Sequence, residues 1–173
     1  MPFRILLILR ATLYSAAFVF LWAWLAVTVR PFDARLPFTI PSWAFPLGLA
    51  LALAGSLIVL WCIVTFVARG RGTPAPFDPP REFVAVGPYR YVRNPMYVGA
   101  FGILVGAGLV LRSPSIIGLA ILFLLFTHLL VVLYEEPSLT RRFGDPYRRY
   151  RSTVRRWLPR IVVETIHEES NPG

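Results

Sequence analysis

The feature that most restricts this chain is the arrangement of its apolar residues. Four long runs, at about 11–29, 43–67, 96–111 and 116–134, hold scarcely a charge and are set between arginine-bearing segments. Roughly 20 helical residues cross the hydrocarbon core of a bilayer, and a helix satisfies its own backbone N–H and C=O groups where lipid cannot. The runs therefore predict an all-α integral membrane bundle of four transmembrane helices. The third run is short and needs tilt, bilayer thinning or packing to span. A mean hydropathy of +0.61 and a charged fraction of 16% agree with this reading, since soluble domains are nearer a quarter charged. Disordered, collagen-like and disulfide-rich classes are excluded by the same composition.

All 18 basic residues are arginine, against 9 acids, for a net charge of +9. In a soluble protein such an excess suggests nucleic acid; beside membrane spans it suggests anionic lipid on one face, and no nucleic-acid partner is expected. Fifteen of the 18 arginines fall in the N-terminus, in the 68–95 loop and in the tail after residue 140. The other two loops hold only Arg30, Arg35 and Arg112, so positive charge predicts both termini on the cytoplasmic side. The first run is too long for the core of a secretory signal and reads as a retained span. Cys62 is the single cysteine and His128 and His167 the only histidines, so neither a disulfide nor a His/Cys metal site is expected.

Arg112-Ser113-Pro114-Ser115 is a turn signal, so the third and fourth runs should form a tight antiparallel hairpin. Gly48, Ala52, Gly55 and Ser56 in the second run, and Gly99, Gly102, Gly106 and Gly108 in the third, form small-residue surfaces. Such surfaces most often mark close helix packing, with room for a ligand as the alternative. Beyond Tyr134, Leu139 and Phe143 share a helical face and Gly144 suits a C-cap; Asp145 and Pro146 suit the N-cap and first position of a second helix. Tyr147, Tyr150, Val154 and Trp157 then make one stripe among arginines, ended by Pro159. Residues 135–158 are thus expected as interfacial helices in a cytoplasmic amphipathic tail, and 164–173 as a disordered end, with 1–163 a single membrane domain.

Two clusters could carry chemistry. One is Gly87-Pro88-Tyr89-Arg90-Tyr91-Val92-Arg93-Asn94-Pro95-Met96-Tyr97-Val98-Gly99, within a loop at 83–95 and the start of the third run; the other is Leu133-Tyr134-Glu135-Glu136-Pro137. The hairpin brings them together. Adjacent glutamates at an apolar edge need compensation, from a bound cation or from arginine. The alternative to a ligand role is that one glutamate faces water while the other pairs with Arg93 or an arginine of the tail. His128 reads as a packed, hydrogen-bonded residue.

The ordered combination of GPYRYVRNPMYVG, the Ser-Pro turn, LYEEPSL, the following Phe-Gly, the Tyr147/Tyr150 pair and RRWLPR resembles the isoprenylcysteine carboxyl methyltransferase and phospholipid methyltransferase superfamily over about residues 83 to 160. That resemblance implies an integral membrane, S-adenosylmethionine-dependent methyltransferase acting on a lipid or isoprenoid acceptor. It implies that Tyr89, Val92, Arg93, Asn94, Pro95, Tyr97, Glu135, Glu136, Tyr147 and Tyr150 enclose the cofactor, with Asn94 and Glu136 closest to catalysis and no metal. Glu135 or Glu136 would accept from the cofactor's ammonium or ribose, Arg93 would pair with its carboxylate, and Tyr89, Tyr97, Tyr147 or Tyr150 would cover the adenine.

Two departures bear on the substrate. Many members have His where Asn94 stands, and Asn cannot titrate, which leaves positioning rather than base catalysis. The eukaryotic isoprenylcysteine enzymes carry charges just before the glutamate pair, where this chain has Val131, Val132, Leu133 and Tyr134. Phospholipid amines are therefore an alternative acceptor. A non-catalytic scaffold on anionic lipid and a nicotinamide-dependent membrane reductase are readings of other classes.

Overall fold

The computed structural model describes residues 2–70 and 83–159; the expected disordered end at 164–173 lies outside them. All regular structure among the described residues is helical. Helix α1 spans Pro2–Val29, α2 Phe45–Thr65, α3 Pro95–Val110, α4 Pro114–Leu130, α5 Glu136–Phe143 and α6 Asp145–Thr153. A 3₁₀ turn at Arg30–Arg35 follows α1, another at Ser42–Ala44 leads into α2, and a third at Gly87–Arg90 precedes α3.

Three helical stretches are long and apolar enough to cross a membrane: Ala16–Arg35, Ser42–Arg69 and Pro114–Phe143. With 16 residues, α3 extends only about 24 Å at 1.5 Å per residue, so the third of the four expected spans is shorter than the other three. On the outer faces of α2 and α4, Leu53, Leu57, Leu60, Ile121, Leu122, Leu125 and Phe126 are exposed. An apolar surface of that extent is what lipid covers.

The expected hairpin is present. Arg112 turns the chain with φ of 53°, Ser113 N–H donates to Gly108 O at 2.8 Å, and Ser113 Oγ caps α4 by accepting from Ile116 N–H at 3.3 Å. Pro114 then occupies a first-turn position, where no N–H is needed. The first loop is fastened to this end by Ser115 N–H donating to Asp33 Oδ1 at 2.8 Å and Arg112 Nε donating to Ile40 O at 2.9 Å.

Gly99, Gly102 and Gly106 of α3 pack closely against α2, while Gly108 meets Ile117 of α4. A Cβ on Gly106 would stand 2.5 Å from Gly48 O, and one on Gly99 would stand 2.8 Å from Gly55 O. Backbones this close exclude any larger side chain, as small-residue membrane interfaces do. Helix α1 joins through Trp22, whose ring meets Phe123 of α4 edge-on at 4.7 Å between centroids. Phe123 and Ala120 are completely buried there, beside Leu104 of α3.

One expectation about the tail is corrected and one element is extended. The apolar run ends at Tyr134, but the helical path continues through a turn of π-helix at Val131–Glu135 into α5. Pro137 lacks an N–H and its ring crowds the carbonyl four residues back, and the π turn widens the register where the chain must accommodate it. Residues 136–143 therefore continue the helical path of α4 as the polar, amphipathic helix α5.

The correction concerns α6, which ends at Thr153 and not at Pro159. Val154 is extended, and the carbonyls that follow bond elsewhere, Arg155 O accepting from Arg93 N–H at 2.9 Å and Arg156 O from Asn94 N–H at 3.3 Å. Val154 and Trp157 thus lie beyond the helix and the expected stripe stops at Tyr150. Asp145 does not cap α6 either; it begins the helix and pairs with Arg148 at 3.1 Å. Gly144, with φ of 57°, makes the sharp turn between α5 and α6, as its C-cap position predicts.

Candidate active site

The loop before α3 and the Glu135-Glu136 pair meet at the end of the bundle opposite the Ser113-Pro114 turn. They meet because α3 starts where α4 finishes. Between them and α6 lies a cavity of about 430 Å³, within the range of small-molecule sites. Of the ten residues expected from sequence, Tyr89, Arg93, Asn94, Tyr97, Glu135, Glu136, Tyr147 and Tyr150 line it. Val92 and Pro95 are buried outside its lining, supporting the loop from behind.

The two glutamates have different surroundings. Glu135 accepts a hydrogen bond from the Tyr97 hydroxyl and is part-buried on the cavity wall. Glu136 is 7% exposed and is taken up by guanidinium groups: Arg156 donates from Nε to Oε1 at 2.7 Å and from NH2 to Oε2 at 3.1 Å. Arg93 NH1 stands 3.1 Å from the same Oε1, and Arg151 lies at the fringe, 4.0 Å from Oε2. Of the two alternatives open in the sequence, compensation by arginine is the one the structure shows for Glu136.

Arg93 is the exceptional cation. Its side chain is 10% exposed, yet its Nε and NH1 have no hydrogen-bond acceptor among the described residues, because the approach of NH1 to Glu136 is close but out of line. Buried guanidinium donors without acceptors are costly. Since Arg93 also lines the cavity, an anion bound there would relieve that cost.

Asn94 is fixed to the chain after α6, its Nδ2 donating to Arg156 O at 3.2 Å beside its backbone bond to the same oxygen. Tyr150 donates to Tyr89 O at 2.6 Å, which ties α6 to the loop. Tyr89 in turn packs edge-on against Phe66 at 5.1 Å. Burial pushes the Tyr147 phenol above its ordinary pKa, with the Glu136 carboxylate adding to the rise and Arg93 opposing it. Burial also raises Tyr150, with Tyr147 adding and Arg93 opposing.

Several wall residues escaped sequence reasoning. Phe83 stands 5.1 Å from Tyr150 and 5.9 Å from Tyr147, nearly perpendicular to both. Ser138, Arg141, Arg142 and Phe143 also line the cavity, as does Met96 of the first cluster. Glu135, Ser138 and Arg142 follow i, i+3, i+7 spacing, a signal readable only once the helix is carried past Pro137. His128 is placed elsewhere: its Nδ1 accepts from Trp157 Nε1 at 3.2 Å, and it is not part of the cavity lining.

An all-helical membrane protein with an aromatic-walled cavity that also holds charged side chains, at one end of its bundle, is the class that fold and site define. The sequence profile of the phospholipid methyltransferase family matches residues 43–146, and the chain belongs to that family. An uncharacterized protein of Haemophilus influenzae is 47% identical over 38 residues, which are 22% of this chain. The chain spans 60% of that relative's length. No solved structure matches the chain.

Proposed function

We propose that the chain is an S-adenosylmethionine-dependent methyltransferase acting on a membrane lipid. The observation that carries the reading is Arg93, a nearly buried guanidinium with donors lacking acceptors on the wall of a 430 Å³ cavity. The residues present fit the cofactor's groups. Arg93 suits a carboxylate, Glu135 with its Tyr97 partner suits an ammonium or ribose hydroxyls, and Phe83, Tyr147 and Tyr150 offer faces for a purine.

The cofactor supplies a methyl group already activated on a sulfonium, so little new charge has to be stabilised. The chain's task is to hold, align and keep dry. Arg93 anchors and Tyr97 fixes the Glu135 carboxylate, while Asn94, tied through Nδ2 and N–H to Arg156 O, gives the loop a rigid edge. Glu136 orients arginines instead of presenting a free acceptor.

The acceptor is a lipid or isoprenoid reaching the cavity from the bilayer. Uncharged Val131 and Tyr134 on its wall, at positions just before the glutamate pair where the eukaryotic isoprenylcysteine enzymes carry charges, together with the family match, favour a phospholipid amine over a prenylcysteine-like carboxylate. In this reading residues 1–163 form one domain, α3 is a fourth span in a locally thin or packed environment, and the arginine-rich end faces the cytoplasm. Exposed Arg148, Arg149, Arg151 and Arg155 then lie against anionic lipid.

Purified protein in mixed micelles with a total lipid extract and methyl-labelled S-adenosylmethionine should move label into the lipid fraction. Labelled amine headgroups support the favoured acceptor and labelled base-labile esters the carboxylate. Absence of label from every lipid class, with cofactor bound, would leave the scaffold reading in place.

A further inference from the structure

Arg156 makes the best-aligned contacts of any arginine with Glu136, yet it is not on the cavity wall. Its fork engages both carboxylate oxygens, at 2.7 and 3.1 Å, whereas Arg93 is left near Oε1 without an in-line bond. A carboxylate can accept two guanidinium forks only in part, and a bidentate partner commands its lone pairs. The consequence falls on Arg93. With Glu136 already engaged, the Arg93 donors remain available to an incoming anion.

We infer that Arg156 is a positioning residue: by engaging both Glu136 oxygens it holds the Arg93–Glu136 contact to an ion pair without an in-line hydrogen bond and keeps the Arg93 donors open to the carboxylate of the bound cofactor. The inference rests on the methyltransferase reading above. Its geometry is reinforced by the backbone, since the carbonyls of Arg155 and Arg156 accept from Arg93 N–H and Asn94 N–H. Trp157, bonded to His128 at 3.2 Å, pins the same segment to α4. Removing only the Arg156 guanidinium leaves those backbone ties in place while freeing the Glu136 lone pairs to draw Arg93 from its out-of-line ion pair into a hydrogen-bonded one.

The test compares two ligands on one protein by calorimetry in detergent: S-adenosylhomocysteine, which carries the carboxylate, and 5′-methylthioadenosine, which lacks the amino-acid portion. In Arg156→Gln the first should bind about tenfold more weakly, the scale of one hydrogen bond to a charged group, and the second within about twofold of wild type. Arg156→Lys, a point charge without the fork, should fall between. The double variant Glu136→Gln/Arg156→Gln, in which Arg93 has no carboxylate to capture, should recover much of the lost affinity. Equal losses for both ligands, or no recovery in the double variant, would show that Arg156 merely supports the fold and would overturn the inference. Wild-type protein that binds neither ligand would overturn the methyltransferase reading itself, and the inference with it.

Discussion

Arg93, Glu135 and the two tyrosines of α6 carry distinct and separable consequences. Replacing Glu135 by Gln keeps the shape of the wall and removes one charge, so binding of S-adenosylhomocysteine should weaken by about 1.5–3 kcal/mol; unchanged affinity would remove Glu135 from the site. Tyr147 and Tyr150 titrate above the ordinary phenol value because burial opposes their ionisation. A folded-state pKa raised above the unfolded one gives stability that is complete below about 10 and is lost as pH climbs through the raised value. Thermal unfolding should therefore show falling stability above pH 10, with a shallower fall in the Tyr147→Phe/Tyr150→Phe double variant; identical slopes would mean these phenols are not protected. At this scale the sequence was informative about residue types and their neighbourhood. The family resemblance implied eight residues of the cavity wall, but spacing could not tell which glutamate would be consumed by arginine. That depends on where Arg156 falls after α6, and a backbone pairing 62 residues away in sequence leaves no local trace. Phe83 and Arg142 were missed for a related reason, since their place follows from α6 folding back and from a helix that does not stop at a proline.

Among the elements, the α2–α3 contact is the most demanding. A side chain at Gly106 would meet the Gly48 carbonyl and the Ala52 backbone, whereas Gly118 has nothing within 4 Å of an added Cβ. Gly106→Val should therefore destabilise the protein by at least the 1–3 kcal/mol typical of overpacking, measured as loss of Tm in detergent, while Gly118→Ala should be neutral or slightly stabilising. A tolerated Gly106→Val would mean that the two helices separate more readily than their packing implies. Apolar runs and turn signals made α1, α2 and the α3–α4 hairpin legible, because both report directly on lipid burial and local chain reversal. The continuation through Pro137 was not legible. Proline ordinarily marks a boundary, and the π turn that accommodates it has no composition of its own. The early end of α6 was equally hidden, since Val154 leaves the helix where its neighbours bond to the loop before α3.

At the scale of the whole molecule, arginine partition predicts that the loop at 30–41 and the Ser113 turn face away from the cytoplasm, with the cavity end inside. Ser113 is fully buried and caps α4, so an exposed position in the same end of the molecule, Thr39, is the better probe. In a Cys62→Ser background, an impermeant maleimide applied to intact cells should label Thr39→Cys and spare Ser152→Cys; the reverse pattern would invert the topology and place the cavity on the wrong side for a cytoplasmic cofactor. The central claim is that the cavity between α3, α5 and α6 binds S-adenosylmethionine, and calorimetric titration of the purified protein in detergent tests it most directly. The account predicts saturable one-site binding of S-adenosylmethionine, about tenfold or more weaker in Arg93→Gln, with NADPH silent. Saturable heat from NADPH in place of S-adenosylmethionine, or cofactor binding indifferent to the loss of Arg93, would contradict it.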